Sequence, residues 1–510
     1  MRYLLGVDLG TSGTKTVLFD ETGKAICSKT VEYPMYQPQN GWAEQDPADW
    51  WNATVTGIQH CLSASGVNAE DVKGVGLSGQ MHGLVMLDKD GNVLRKSIIW
   101  CDQRTTKEVE QMNSVIGAQR MIEITANPAL ANFTAAKILW VQNNEPDLYA
   151  KCAHILLPKD YIRYMLTGEF ATEVSDAAGM QLMDIPNRCW SDEILTKLHI
   201  DRSLLGSMHE SPDVTGAVHS KAAELTGLKA GTIVVGGAGD NAAAAVGTGV
   251  VKSGVAFTTL GTSGVVYAVS DTVSIDPKGR VHTLCASVPG KWTVMSCTLA
   301  AGLSLKWLRD TVCTAEIAEA EKQGIDPYII MDKMADKVGP GAGGLLYLPY
   351  LMGERSPHPD SEARGIFFGL SAIHDRSNLI RAVLEGVAYS QLDCVDVFRE
   401  MGVNVQDMMA CGGGGRSKVW RQMLADMYGC PVNTIHADEG PALGVAILAG
   451  VGAGIYNSVE EACDNIIRKN ITQQPDMANH DAYMGYYDLY KKLYQDLKGD
   501  FKALSALVNK

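Results

Sequence analysis

The sequence predicts an α/β protein of two similar domains. The pattern Leu-Gly-Thr-Ser-Gly occurs at residues 9–13 and again at residues 260–264, about half the chain later. Each copy lies between two apolar segments with strand character, which predicts a β-hairpin in both places. A chain of 510 residues is long enough for two or three domains with substantial cores. We expect the two domains to span residues 1–248 and 249–510.

The two hairpin tips have the composition of phosphate-binding loops. Glycines let backbone N–H groups approach an anion closely, and threonine and serine hydroxyls add further donors. The same residues also form ordinary turns. A repeat at this spacing favours a pair of phosphate sites.

Composition and charge limit the class of protein. An apolar fraction of 46% and a charged fraction of 20% are ordinary for a globular protein. The formal net charge of -14 argues against a general nucleic-acid or anionic-membrane surface. Because this charge also repels a nucleotide, we expect any phosphate site to be local and assisted by a metal ion.

The cysteines and the apolar segments indicate a cytoplasmic protein. The 12 cysteines include no C-x-x-C pair and no metal-finger spacing, which is typical of reduced thiols in the cytosol. The apolar stretch at the N-terminus is too short for a signal peptide, and no segment approaches the length of a membrane span. We therefore expect no membrane partner.

The first half continues with a meander and then a helix. A turn leads into a third strand expected at residues 25–33. Asp46 and Pro47 mark a helix start, because aspartate caps helices well and proline suits the first helical position. A strand at residues 72–77 then leads into polar residues at 79–83. Open α/β sheets usually bind ligands at such strand ends.

A second glycine-rich turn follows the strand at residues 232–235 and precedes an alanine-rich helix at residues 242–246. Residues 237–242 fit the G-x-G-x-x-A fingerprint of dinucleotide-binding proteins. That fingerprint also requires an acidic residue about 20 positions later. Residues 257–262 contain none, so a dehydrogenase is disfavoured.

The chain ends in an amphipathic helix expected at residues 482–507. Its apolar residues recur at helical spacing, which predicts core packing. The members of this stripe are Tyr483, Tyr487, Tyr490, Tyr494, Leu497, Phe501 and Leu504.

Four motifs together resemble the FGGY carbohydrate kinases. They are the two loops, the turn at residues 237–240, and residues 411–417, which are similar to the adenosine motif of that family. Residues 133–146 and 347–370 also resemble family segments, so the resemblance covers nearly the whole chain. It implies the two-domain actin- and hexokinase-like fold, a ribonuclease H-like ATPase fold, with ATP and Mg²⁺ in the interdomain cleft. A homodimer is common in the family.

Within that family, residues 80–83 and 98–104 resemble the members that phosphorylate D-xylulose. The resemblance implies ATP-dependent phosphorylation at O5. Members that act on glycerol carry an Arg-Glu pair where this chain has Met81 and His82, which disfavours glycerol. Ribulose, fuculose or gluconate phosphorylation remains an alternative, as does a sugar sensor that binds ATP without catalysis. The presence of both Asp8 and Asp240 argues against the sensor.

Two aspartates are the candidate catalytic residues. Asp240 matches the general base of the family, although its place before a helix also suits an N-cap. A cap lowers the pKa of a carboxylate, whereas a base benefits from a raised one. Asp8 ends the first strand beside the first loop, where a carboxylate can hold the hydrated Mg²⁺ that ATP carries. Its alternative role is to cap a turn.

The remaining site residues are assigned by their match to the family. The expected sugar contacts are Met81, His82, Trp100 and Asn241, although a lone histidine after a strand also suits a structural role. The expected ATP contacts are Thr11, Ser12, Thr14, Lys15, Gly261, Thr262, Gly413, Gly414 and Ser417. Lys15 brings a positive charge that can reach the β- or γ-phosphate, unless it is only a solvated surface lysine.

Overall fold

The computed structural model describes residues 1–435 and 440–508 of the protein. The strands of the first half are β1 (Tyr3–Leu9), β2 (Gly13–Asp20), β3 (Ala25–Glu32), β4 (Glu44–Gln45), β5 (Val72–Gly79), β6 (Val85–Leu87), β7 (Ser97–Ile98), β8 (His154–Leu156), β9 (Ala171–Glu173), β10 (Met183–Asp184), β11 (Cys189–Trp190), β12 (Ser207–His209), β13 (Val214–Ala217), β14 (Ile233–Val235) and β15 (Ala238–Gly239). Its helices are α1 (Pro47–Ser65), α2 (Thr106–Val115), α3 (Ala118–Thr125), α4 (Thr134–Asn144), α5 (Pro146–Tyr149), α6 (Pro158–Thr167), α7 (Val174–Ala177), α8 (Asp192–Lys197), α9 (Ser220–Thr226) and α10 (Asp240–Gly247).

The second half is built in the same alternating way. Its strands are β16 (Val255–Leu260), β17 (Gly264–Ser270), β18 (His282–Cys285), β19 (Trp292–Thr298), β20 (Leu346–Leu348), β21 (Ile366–Phe368), β22 (Asp407–Cys411), β23 (Val432–Ile435) and β24 (Lys469–Gln473). Its helices are α11 (Gly302–Thr311), α12 (Thr314–Gln323), α13 (Pro327–Ala335), α14 (Arg376–Glu400), α15 (Lys418–Tyr428), α16 (Gly440–Gly452), α17 (Val459–Ile466) and α18 (Met477–Val508). Single 3₁₀ turns lie at Ala69–Asp71, Ala178–Met180, Arg202–Leu204 and Gly414–Arg416.

Each half contains one large mixed sheet, and the two sheets share a central topology. In the first, β1 pairs antiparallel with β2 and parallel with β5, and the order is β13-β14-β5-β1-β2-β3. In the second, β16 pairs antiparallel with β17 and parallel with β22, and the order is β18-β19-β17-β16-β22-β23-β24. The two Leu-Gly-Thr-Ser-Gly motifs therefore form the tips of equivalent hairpins, as the sequence predicted.

Helices α10 and α16 cross each other and connect the halves. A Cβ atom added to Gly444 would lie 1.9 Å from the carbonyl oxygen of Ala243, and one added to Gly247 would lie 1.8 Å from that of Gly440. Only glycine permits backbones to approach so closely. Helix α16 covers the first sheet, since a Cβ added to Gly6 in β1 would lie 2.0 Å from the carbonyl oxygen of Ala442.

Helix α10 packs against α16 and also contacts β5 and β15 of the first sheet. Its Ala245 belongs to the same buried cluster as Phe257 of β16 and Tyr267 of β17, so apolar residues of both halves are buried together. Asp240, the first residue of α10, lines a cavity with residues of both halves.

The local predictions are largely confirmed. The third strand is β3, and α1 begins at Pro47, where the Asp46 side chain accepts a hydrogen bond of 3.0 Å from the Ala48 N–H. The four tyrosines of the α18 stripe are buried in the core, but Leu504 is 50% exposed, so its assignment to the core was wrong. The helical period alone cannot show where the body of the protein ends beneath a long terminal helix. Among the described residues, no helix is long and apolar enough to cross a membrane.

Candidate active site

One cavity of about 280 Å³ is built by side chains from both halves. The first half contributes Met81, His82, Trp100, Asn132, Phe133, Asp240 and Asn241. The second half contributes Ser263, Val265, His282, Met295, Cys297 and Arg355. The structure therefore brings all four expected sugar contacts into the same cavity as the expected general base.

Asp240 carries a carboxylate whose affinity for protons is raised. Gly239 is the N-cap residue of α10, so Asp240 does not cap the helix as its alternative role required. Its Oδ1 accepts hydrogen bonds from the backbone N–H of Asn241 at 2.7 Å and from the Asn241 side-chain amide at 3.0 Å. Burial and the negative charge of Asp8 outweigh these bonds and raise the pKa of Asp240 to about 7. A carboxylate with this pKa can exchange a proton near neutral pH.

Asp8 lies near the end of β1, opposite Lys15 of β2. The hydroxyl of Ser78 donates a hydrogen bond of 2.8 Å to its Oδ1. Burial raises the pKa of Asp8, while the bond from Ser78 and the charge of Lys15 act in the opposite direction. This carboxylate and that of Asp240 interact electrostatically across the site.

The donor set fits a magnesium ion carried by a nucleotide. Within the described part of the chain, no cluster of three or more His, Cys, Asp or Glu side chains can hold a metal. Mg²⁺ keeps several waters and usually takes one or two protein carboxylates together with substrate phosphates. Asp8, beside the first loop, supplies an oxygen of the kind that this ion prefers.

His82 is held as a neutral imidazole. Its ring stacks on Phe133 with a centroid distance of 4.0 Å, and Nδ1 lies 3.0 Å from the carbonyl oxygen of Gly179. Because a carbonyl only accepts hydrogen bonds, Nδ1 carries the proton and Nε2 keeps a free lone pair. Burial, with the positive charge of Lys137, lowers the pKa of His82 well below its usual value. The imidazole can therefore accept a hydrogen bond from a substrate hydroxyl.

The backbone of His82 is also fixed. Its φ angle is +69°, which is uncommon for a residue with a side chain. Its carbonyl oxygen accepts hydrogen bonds from Lys137 Nζ at 2.7 Å and from the Thr134 hydroxyl at 3.2 Å. The family-like segment at residues 133–146 thus supports the sugar side of the cavity.

Trp100 and Met81 complete the predicted sugar contacts. Trp100 is 38% exposed, and its indole N–H donates a hydrogen bond of 2.9 Å to the Thr11 hydroxyl in the first loop. Met81 packs on the turn before α10, because a Cβ added to Gly239 would lie 2.9 Å from the Met81 Cγ. The small cavity and the first loop are therefore in direct contact.

The two hairpin tips differ in exposure. Thr11 is half-buried and its counterpart Thr262 is exposed, whereas Ser12 is exposed and its counterpart Ser263 is half-buried. The N–H of Gly261 donates to the Ser263 carbonyl at 3.1 Å, and the N–H of Gly302 donates to the Gly261 carbonyl at 2.7 Å. The second tip is thus hydrogen-bonded to the start of α11, and its Ser263 lines the small cavity.

The position of Thr14 differs from the expected one, which was a hydroxyl in the first loop. It lies in β2 rather than in the loop, and its side chain is fully buried. Successive residues of a strand point to opposite faces, so Thr14 points into the core while Lys15 remains half-buried. The hydroxyl of Thr14 therefore does not belong to the loop surface.

A larger cavity of about 610 Å³ lies beside the adenosine-like motif. Gly413 lines it, and a Cβ there would meet no atom within 4 Å, so its backbone is open to a flat ligand. Gly414 does not line this cavity. Its backbone packs against Leu260, so a Cβ added to Gly414 would lie 2.6 Å from the Leu260 Cβ. The Ser417 hydroxyl accepts a hydrogen bond of 3.1 Å from the Trp420 N–H and caps α15. Direct contact of Gly414 and Ser417 with a nucleotide remains a prediction.

Helix α10 joins the two cavities. Asp240 and Asn241 at its start line the smaller cavity, whereas Ala244 and Thr248 line the larger one. At 1.5 Å per residue, the helix spans about 12 Å between Asp240 and Thr248.

The sequence did not predict a buried ionic cluster that lies beside the turn at Gly239. Lys159 Nζ lies 2.7 Å from Asp160, 3.3 Å from Glu173 and 3.4 Å from Asp176, and all four side chains are buried. The hydroxyl of Ser175 accepts a hydrogen bond of 3.2 Å from the Gly239 N–H. Charged residues inside the apolar segment at 155–162 were the available signal.

Sequence reasoning also missed the second half's contribution to the small cavity. His282 reaches it from β18, with Nδ1 2.8 Å from Asn127 Oδ1, and burial lowers the pKa of His282 to about 4. Arg355 reaches it from the loop after β20. The segment that contains Arg355 resembles the kinase family, but nothing in its sequence points to the sugar cavity.

Comparison with known proteins agrees with this architecture. The model of the N-terminal domain of the FGGY family of carbohydrate kinases matches residues 3–247, and that of its C-terminal domain matches residues 256–453. The chain is 39% identical over 498 residues to a xylulose kinase of Bacillus subtilis, covering 98% of each chain. It is 30% identical over 465 residues to a gluconokinase of Bacillus licheniformis, covering 91% of this chain and 90% of that protein.

A solved xylulose kinase structure from Rhodospirillum rubrum superimposes with a TM-score of 0.91 at 31% identity, over 98% of this chain and all of that one. Sequence identity of this level over nearly full length agrees with the matches to both domain models. The chain belongs to the FGGY family of carbohydrate kinases.

Proposed function

We propose that the chain transfers the γ-phosphoryl group of ATP to the O5 hydroxyl of D-xylulose. The observation that carries this proposal is the small cavity, which the four expected sugar contacts line together with Asp240. The similarity to xylulose kinases, which is greater than that to a gluconokinase, supports the choice of sugar.

Asp240 is the general base in this proposal. Its carboxylate accepts the proton of the O5 hydroxyl as the new O–P bond forms, and the bond between the γ-phosphorus and the bridging oxygen of ADP breaks. Asn241 holds the carboxylate from one side through two hydrogen bonds. His82 accepts a hydrogen bond from another sugar hydroxyl through Nε2, which orients O5 toward Asp240.

The nucleotide is proposed to lie along α10. The adenosine end occupies the larger cavity against Gly413, and the triphosphate extends toward the two hairpin tips. Thr11, Ser12 and Thr262 offer hydroxyls and backbone N–H groups to the phosphates, and Gly261, whose N–H is bonded within the hairpin, leaves room for their close approach. When bound, Mg²⁺ neutralises phosphate charge, and Asp8 is the residue that would hold it through water.

The first experiment measures coupled ADP release by the purified chain with ATP, Mg²⁺ and a panel of acceptors. The panel contains D-xylulose, D-ribulose, fuculose, D-gluconate and glycerol, and NMR locates the phosphate on the product. We expect the highest kcat/KM with D-xylulose and a product phosphorylated at O5. A higher value with gluconate or another ketose would replace the sugar assignment, and ATP binding without turnover of any acceptor would indicate a sensor.

The second experiment tests Asp240. Asp240→Ala is expected to lower kcat by about 10²–10⁴, the usual contribution of a general base, while ATP binding is retained. Asp192→Ala is the matched control, because the Asp192 side chain is 85% exposed in the same half. Near-normal turnover by Asp240→Ala would remove Asp240 from this role.

The third experiment tests the sugar contact. His82→Ala is expected to raise the KM for D-xylulose more than the KM for ATP, because the imidazole lines only the small cavity. Equal increases in both constants would contradict the assignment of His82.

A further inference from the structure

The loop that carries Arg355 is tightly built. Gly353 has φ +74°, and a Cβ there would lie 2.8 Å from the carbonyl oxygen of Ser361. The N–H of Glu354 donates to the Asp360 carbonyl at 2.8 Å, and the N–H of Asp360 donates back at 3.0 Å. These contacts close the loop into a compact turn.

The same loop is fastened to the end of β19. The Glu354 side chain accepts hydrogen bonds from the N–H groups of Leu299 at 2.9 Å and Arg355 at 2.8 Å. The N–H of Ser356 donates to the Cys297 carbonyl at 3.2 Å. Both chain neighbours of Arg355 are therefore fixed beside the second hairpin, since Thr298 pairs with Gly264 of β17.

The Arg355 guanidinium lies outside ion-pair distance of every acidic side chain in the part of the chain that the structure describes. The neighbouring Glu354 binds backbone N–H groups through its Oε1, and burial raises the pKa of Glu354 to about 8 even though these bonds and the charge of Arg355 act in the opposite direction. The guanidinium instead lines the small cavity together with Asp240 and Ser263.

A cation at this position suits the group that is transferred. In the proposed reaction the phosphoryl group would move between the second hairpin and the hydroxyl that Asp240 deprotonates, and Arg355 lines the same cavity as Asp240 and Ser263. Negative charge on its equatorial oxygens must be stabilised in the transition state, and an arginine fork fits such oxygens with two hydrogen bonds.

We infer that Arg355 is a catalytic residue that binds the equatorial oxygens of the γ-phosphoryl group during transfer. This inference rests on the proposed kinase function. The arginine neither gives nor takes a proton: the O5 proton goes to Asp240, and the electron pair of the broken P–O bond leaves with ADP. Its role is to stabilise charge that is concentrated in the transition state.

Steady-state kinetics of Arg355→Ala and Arg355→Lys test the inference, with D-xylulose, ATP and Mg²⁺. Arg355→Ala is expected to lower kcat by about 10²–10³, the usual effect of removing one group that stabilises transition-state charge. The KM for D-xylulose is expected to change by less than about threefold, because the interaction forms only in the transition state. Arg355→Lys should remain impaired, because lysine lacks the two-pronged geometry.

Arg364→Ala is the matched control, since Arg364 is exposed in the same region and bonds only the carbonyl oxygens of Ser361 and Ala363 among the described residues. It should retain normal kcat. Added guanidinium ion should partly restore turnover of Arg355→Ala, which a purely structural role does not predict. A further measurement is the affinity of each variant for Mg²⁺–ADP–aluminium fluoride with D-xylulose. We expect this affinity to fall in Arg355→Ala, whereas that for ADP alone is retained.

Three results would overturn the inference. They are a near-normal kcat in Arg355→Ala, an increase in the KM for D-xylulose with kcat retained, and equal losses of affinity for ADP and for the aluminium fluoride complex. The second result would make Arg355 a sugar contact. Failure of the wild-type chain to phosphorylate any acceptor would instead overturn the proposed function itself.

Discussion

The pH dependence of turnover follows from the environment of Asp240. A general base acts when deprotonated, and burial with the charge of Asp8 raises the pKa of this carboxyl to about 7. The active fraction is then roughly one tenth at pH 6 and nine tenths at pH 8. We therefore expect kcat/KM for D-xylulose to fall about tenfold for each pH unit below 7 and to reach a plateau above pH 8.

Coupled ADP release measured from pH 5 to 9 at fixed Mg²⁺ and ATP gives this profile. The residual activity of Asp240→Asn is the control, because titration of ATP itself would appear in both proteins. Asn241→Ala removes one of the two groups that bond the carboxylate. A hydrogen bond to a charged group contributes about 1.5–3 kcal/mol, and one pKa unit corresponds to about 1.4 kcal/mol. The pH below which kcat/KM falls should therefore rise by about one unit or more.

A wild-type profile that stays flat down to pH 5 would mean that Asp240 has an ordinary pKa or does not act as the base. A fall in activity at low pH that is unchanged in Asp240→Asn would mean that Asp240 is not the group that titrates. If the pH below which kcat/KM falls is lower in Asn241→Ala than in the wild type, these hydrogen bonds do not stabilise the charged carboxylate.

Three further substitutions test the packing around the site. Gly179→Ala places a Cβ 2.5 Å from the His82 ring, so steady-state kinetics should show a KM for D-xylulose raised by about tenfold or more and an unchanged KM for ATP. Gly444→Ala places a Cβ 1.9 Å from the Ala243 carbonyl, and calorimetry should show destabilisation of at least about 1–3 kcal/mol; an unchanged Tm would contradict the tight crossing. Lys159→Met removes the cation within ion-pair distance of the buried Glu173 and Asp176, while Arg163 still pairs with Asp160; this should cost about 3–5 kcal/mol in urea unfolding, and wild-type stability would contradict the buried ion cluster.

The features that the sequence predicts well are those whose residues are adjacent in the chain. The two Leu-Gly-Thr-Ser-Gly motifs form hairpins because turn chemistry acts over a few residues. The helix start at Pro47 depends on its neighbour Asp46 alone. Asp240 could be found because a strand, a glycine-rich turn and a helix follow one another around it.

The features that the sequence does not show depend on contacts between distant segments. His282 and Arg355 enter the cavity from β18 and from the loop after β20, and only the closure of the second half against the first brings them to Asp240. Thr14 shows a second limit, because belonging to a motif does not tell which face of a strand a side chain occupies. Its burial in β2 follows from the register of the hairpin.

The central claim is that Asp240 receives the O5 proton of a sugar held in the cavity that both halves build. A crystal structure of Asp240→Asn with D-xylulose, Mg²⁺ and a non-hydrolysable ATP analogue tests it most directly. We expect O5 to lie within hydrogen-bond distance, roughly 2.6–3.2 Å, of the side chain at position 240. We also expect O5 to face the γ-phosphorus. A sugar bound outside this cavity, or with O5 turned away from residue 240, would contradict it.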